Sequence, residues 1–165
     1  MTIKDIENKV NQLAEIINAD RNLLPTYGYS LDLACPHIEV NQIGMHYIVV
    51  ERGQEHERKT TDNIDELLFW IFDNVTFSIS VEFELKNRNE TKDSRRMIFS
   101  KQEDLMGKLN NEWEERAKRE HQAILKRNPY DDLAGLRASY CGELRTKGLP
   151  ESEINKLAYE KYPES

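Results

Sequence analysis

Four histidines, at positions 37, 46, 56 and 121, and two cysteines, Cys35 and Cys141, are the side chains of this sequence best suited to hold a transition metal. A zinc site needs four such ligands in tight clusters, and neither CxxC nor HxxxH spacing occurs here. The triplet Cys35-Pro36-His37 comes nearest and reads as a loop entering a strand, so no metal and no other cofactor is expected. Nucleophilic catalysis asks for Ser, Cys or Thr beside an activating base, yet there is no GxSxG elbow and neither cysteine has sequence-local partners that would activate it. The seven glycines stand singly and never as GxGxxG or GxxxxGK, which removes the usual phosphate-cradling loops.

Carboxylates are abundant, and Glu51, Glu55 and Glu57 could in principle share acid and base roles across a cleft. In the stretch ERGQEHERK they alternate with Arg52, Arg58 and Lys59, which fits charge pairing across a hairpin on a wet face better than catalysis. Arg95 and Arg96 would suit an acidic group, but at the first turn of a long helix they read first as solvated or acid-paired. Trp70 and Trp113 fall on apolar helical stripes and read as core anchors. Tyr27 and Tyr29 flank Gly28 in an irregular segment, where tyrosine offers contact area to a partner at little entropic cost, although packing of the loop explains them as well.

Thirty acidic against 23 basic residues give a formal charge of -7, which argues against nucleic acid or anionic lipid as the main partner and favours basic ones. With 32% charged and 38% hydrophobic residues the balance is that of an ordinary globular protein, and the length suits one domain over residues 1–165. No run approaches the roughly 18 apolar residues of a membrane span. The start, MTIKDIENKV, lacks the apolar core of a signal peptide, so a cytoplasmic protein with reduced thiols is expected.

The elements that would position these residues follow from periodicity. Ile3, Ile6, Val10, Leu13 and Ile17, behind Thr2 as N-cap, predict an amphipathic helix over about residues 3–18. The stretch NLLPTYGYSLDLACP reads as an ordered, packed loop. Between His37 and Thr61 three β-rich runs, with turns at Asn41 to Gly44 and at Gly53, predict a three-stranded antiparallel meander. Asn63 caps a helix that starts with Ile64, but Val75 to Leu85 alternates strictly, so a fourth strand and a continuation of the helix to about residue 88 both stay open. Helical stripes follow from Ile98 to Leu109, from an Asn111 cap to Asn128-Pro129, from Asp131 or Asp132 to Gly148, and after Pro150. The fold class is therefore α+β, a small antiparallel meander packed with five or six helices.

The segments NLLPTYGYSLDLACPHIEV, HYIVVERGQEHERKTTDNIDELLFWIFDNVTFS, RRMIF and DDLAGLRASYC together resemble the immunity protein 63 family of bacterial polymorphic toxin systems. The resemblance covers about residues 18–149, and its sharpest parts are LLPTYGYS and the hairpin that runs into the Trp70 helix. It implies an α+β protein, encoded beside a secreted toxin, that binds that toxin in the cytoplasm and neutralises it, with no cofactor and no reaction. Residues similar to the family pattern are Tyr27, Gly28, Tyr29, Glu51, Arg52, Gly53, Glu55, Arg58, Thr60, Thr61, Trp70, Arg95, Arg96 and Trp113. As partner-binding residues the sequence nominates Tyr27, Tyr29, Glu51, Arg52, Glu55, Arg58, Arg95 and Arg96. The competing readings are an enzyme using Glu51, Glu55 and Arg58 with His46 on the exposed face of the meander, and an adaptor outside toxin systems.

Overall fold

The structure, a computed structural model, describes residues 1–164. The element order is α1 (Ile3–Ile16), a 3-10 turn (Arg21–Leu23), β1 (Thr26–Tyr27), β2 (Leu33–Val40), β3 (Met45–Glu51), β4 (Gln54–Thr61), α2 (Ile64–Lys86), α3 (Ser94–Leu109), α4 (Asn111–Arg127), α5 (Ala134–Thr146) and α6 (Glu151–Lys161). A four-stranded mixed sheet thus stands with six helices, an α+β fold as the sequence predicts. Two compact units divide the chain, one made of Met1–Ile79 with Gln102–Ala117, the other of Ser80–Lys101 with the residues from Lys118 on.

In the first unit the sheet order is β1-β2-β3-β4. The meander β2-β3-β4 is antiparallel, with Ile38 opposite Tyr47 and Tyr47 opposite Lys59. The fourth strand is β1, which pairs parallel to β2 through Thr26 opposite His37 and Tyr27 opposite Ile38. It lies in the segment read as a loop, and two residues carry no periodicity that could have revealed it. Alternation along the strands sends Ile38, Met45 and Tyr47 into the main core, where they join Ile6, Val10 and Ala14 of α1 and Leu67, Phe72 and Val75 of α2. Leu105 and Met106 of α3 and Trp113 and Ala117 of α4 complete that core.

α1 begins at Thr2, whose hydroxyl accepts from the Asp5 N–H while the Asp5 carboxylate takes the Thr2 N–H, so both orphan donors are satisfied. At the start of α2 the Asn63 side chain accepts from the Asp65 N–H at 2.9 Å. The stretch Val75 to Leu85 is helix and not strand. Its inward line is Phe72, Thr76, Ser80 and Glu84, all buried at steps of four, while Phe77, Phe83 and Leu85 face outward. Partners one turn away on the same helix let polar residues join that line: the Thr76 hydroxyl donates to the Phe72 carbonyl at 2.6 Å, and the Glu84 carboxylate accepts from the Arg88 guanidinium at 3.0 and 2.9 Å. α4 is capped by Asn110 and not by Asn111, since the Asn110 side chain accepts from the Glu112 N–H at 2.8 Å.

In the second unit α5 ends ahead of Gly148, whose φ of 79° is the left-handed turn that glycine makes without penalty. α6 follows Pro150. Leu144, Ile154 and Ala158 are buried, and Tyr140 meets Tyr162 edge-on at 6.0 Å. Phe99 stacks on His121 with ring centroids 4.0 Å apart.

Candidate partner-binding surface

The β3-β4 hairpin turns on two residues in left-handed conformations, Arg52 at φ 53° and Gly53 at φ 71°. Such a turn matches the strand twist, and its closing pair is Glu51 opposite Gln54. A register shift between Val49 and Val50 marks a β-bulge, so His56 has no partner opposite it and the tip of the hairpin is re-aimed. Beyond it, Arg58 grips Glu55 bidentately at 2.9 and 2.6 Å and lies 3.8 Å from Glu39. The hydrogen bond from Arg58 holds the Glu55 carboxyl below its usual range, the opposite of what a general acid needs.

His46 does not lie on an exposed face. It is buried on the side of the sheet opposite the main core, its Nδ1 2.8 Å from the Thr60 hydroxyl. His37, on the same side, has Nε2 3.3 Å from Glu39. The remaining ring nitrogens, His37 Nδ1 and His46 Nε2, are buried with no hydrogen-bond partner among the described residues. Glu51, Glu55, Arg58 and His46 therefore do not converge on an open cleft. Cys35 and Cys141 are free thiols, both half-buried.

Tyr27 and Tyr29 diverge. Tyr27 points with Ile38 towards the main core, its hydroxyl buried and unpartnered among the described residues, and burial with the nearby Glu7 raises its phenol above the ordinary range. Tyr29 is 59% exposed, and it is followed by Leu31 at 48% and Leu33 at 72%. Sequence reasoning did not nominate these two leucines. A groove of about 550 Å³ lies beside them, lined by Glu7, Arg21, Leu24, Tyr27, Tyr29 and Leu31 among others.

The loop that carries this apolar trio is fixed at several points. The Gly28 N–H donates to the Ile38 carbonyl at 2.8 Å, the Asp32 N–H to the Ser30 hydroxyl at 3.0 Å, and the Gly53 N–H to the Asp32 carboxylate at 2.6 Å. The last bond ties loop to hairpin tip, and the register pair Leu33 opposite Glu51 does the same. Asp32 and Ala34 both sit at φ 57°, a conformation that ordinary residues adopt only when their surroundings impose it.

Arg95 and Arg96 belong to the second unit, and their charges are used there. Arg95 bonds the Asp93 carboxylate through Nη2 at 2.6 Å and donates to the Asn128 and Pro129 carbonyls, both at 2.8 Å. Arg96 donates to Asp132 at 2.7 Å and stacks over Tyr130 at 4.1 Å. Asp132 also accepts the Asp93 N–H at 2.9 Å. The Arg96 hydrogen bond, with that N–H, lowers the Asp132 carboxyl from 3.8 to about 2.

A pH dependence follows, with its sign fixed by that lowering. A carboxyl depressed in the folded state contributes stability above its unfolded pKa and loses it as pH falls through the folded one. The contribution of Asp132 is expected to be intact at neutral pH and to be lost between about 4 and about 2, so the fall of the thermal midpoint over that range should be shallower for Asp132→Asn than for the parent. Circular dichroism melts across that range check it, and equal slopes for the two proteins would refute the role given to Asp132.

One family model, described as immunity protein 63, matches residues 41–123, a stretch that contains β3, β4, α2, α3 and most of α4. No curated protein and no solved structure matches the chain.

Proposed function

The chain belongs to the immunity protein 63 family and is thus an immunity protein of toxin systems, and from that premise we propose that it neutralises one cognate toxin by binding it directly. Family membership carries the reading, and the surface is consistent with it. Glu51 and Arg52 present side chains at the hairpin tip, Tyr29 presents its ring from the loop that a hydrogen bond fastens to that tip, and Arg58 and Glu55 extend the same hairpin. Tyr27 supports the loop from below, and Arg95 and Arg96 hold their own unit together. Work by surface complementarity needs no reacting group, and Glu55 bound to Arg58 and His46 buried against Thr60 favour this over the catalytic alternative.

The formal charge of -7 suits a basic toxin, because opposite charge accelerates encounter. No helix among the described residues is long and apolar enough to cross a membrane. We place the complex in the cytoplasm, with the whole chain acting as one binding module. Co-expression tests this directly: cells producing the toxin encoded beside this protein should grow when the protein is abundant and arrest without it. Arrest in the presence of abundant, folded protein would end the proposal.

A further inference from the structure

We propose that the segment Tyr29 to Leu33 is the anchor of the complex: Tyr29, Leu31 and Leu33 enter an apolar recess on the toxin whose rim carries lysines and arginines. The inference rests on the toxin-binding reading and adds to it both the contact residues and the chemistry of the partner.

Exposure is the first reason. Three large apolar side chains within five residues are 59%, 48% and 72% exposed, and Tyr29 and Leu31 line one groove, whereas monomers scatter such side chains singly. Rigidity is the second. A slack loop would fold its leucines back onto the protein, but here Gly28, Ser30 and Gly53 pin the backbone through their hydrogen bonds to Ile38 and Asp32. The anchor is thereby ordered before it meets a partner, which lowers the entropic cost of association, and tyrosine is among the residue types that dominate interfaces.

Charge selects the occupant. Glu7 and Arg21 line the groove beside Tyr29 and Leu31, Asp32 and Arg52 stand in the two turns, and the pairing of Leu33 with Glu51 sets a carboxylate beside the most exposed leucine, so the local balance is acidic, as is the whole chain with its formal charge of -7. A basic rim complements these groups. A second copy of this chain would bring acid against acid, and an anionic lipid surface would be repelled as well.

The test uses the purified full chain and the purified toxic domain encoded beside it, with binding measured by calorimetry and the state of the free protein by light scattering. Leu31→Ser with Leu33→Ser, and separately Tyr29→Ala, should each weaken binding on the order of 100-fold or more while the melting temperature stays that of the parent. Ile43→Ser, at a residue still more exposed but in the β2-β3 turn, should bind like the parent. Raising salt should slow association of the parent. If the parent binds tightly and both loop variants match it, the anchor is wrong and the toxin-binding reading stands. If the loop variants only dissociate a dimer of this chain, the loop is a self-interface and the proposal is overturned. If the parent itself does not bind, the functional reading falls and takes the anchor with it.

Discussion

Trp113→Ala is expected to destabilise the protein by about 3 to 5 kcal/mol, the range for deleting a large buried aromatic side chain. The indole is 4% exposed and belongs to the main core. It stacks on Phe72 at 6.1 Å and meets Phe69 edge-on at 6.2 Å, so its removal leaves two aromatic rings without their neighbour. Its Nε1 donates to the Asp65 carboxylate at 3.2 Å, in the first turn of α2, and so joins α4 to the start of that helix. Trp113→Phe separates the contributions: ring packing is largely kept while the hydrogen bond is lost, at about 1 kcal/mol. Denaturant unfolding of the two variants is the measurement. A loss below about 1 kcal/mol for the alanine variant would show that Trp113 does not organise this core.

Asp93→Ala should cost about 1 to 3 kcal/mol, by a different physical route. The Asp93 side chain is 7% exposed and accepts from the Arg95 side chain, the Arg95 N–H and the Asp131 N–H. Burial alone would raise its carboxyl, but the bonds from Arg95 and from the two N–H groups outweigh it and leave the carboxyl below its usual range. Alanine would leave the Asp131 N–H without its acceptor, while the Arg95 guanidinium, 28% exposed, keeps its bonds to the Asn128 and Pro129 carbonyls, so the cost is that of unmet donors rather than of a stranded charge. Asp93→Asn keeps one acceptor oxygen and gives up the charge, so it should fall between parent and alanine variant. Hydrogen exchange at the Asp131 amide reports the loss locally. Parent-like exchange and an unchanged unfolding midpoint in Asp93→Ala would remove Asp93 from the centre of this network.

Much of the fold was legible because its signals are local and repeated. The 3-to-4 spacing in α1, the apolar residues at helical spacing behind the Asn63 cap and the β-rich run MHYIVVE each extend over several residues, and the helices and strand follow them. Where the signal was short or could be met in two ways, the sequence was silent. β1 is two residues long and is defined by its pairing with β2. Asn110 and Asn111 are adjacent and chemically equal as caps, and the turn geometry alone selects Asn110. The alternation from Val75 to Leu85 resembles a strand because apolar residues sit at every second place, yet Thr76 satisfies its own hydroxyl within a helix. The surface follows the same division. Tyr29 and the hairpin charges declare themselves by type and setting, but Leu31 and Leu33 look like any core leucines until the backbone shows them exposed. Arg95 and Arg96 were visible as a pair, while Asp132, 36 positions beyond Arg96, became its partner only through the fold.

The bond from the Gly53 N–H to the Asp32 carboxylate joins two stretches 21 positions apart in the chain. Residues 28–34 and 51–55 are for that reason a single cassette. A designer who grafts the apolar loop onto a relative without its hairpin, or shortens the hairpin and leaves the loop, would cut the fastening between them, so a graft that keeps the loop's conformation has to carry both pieces at once.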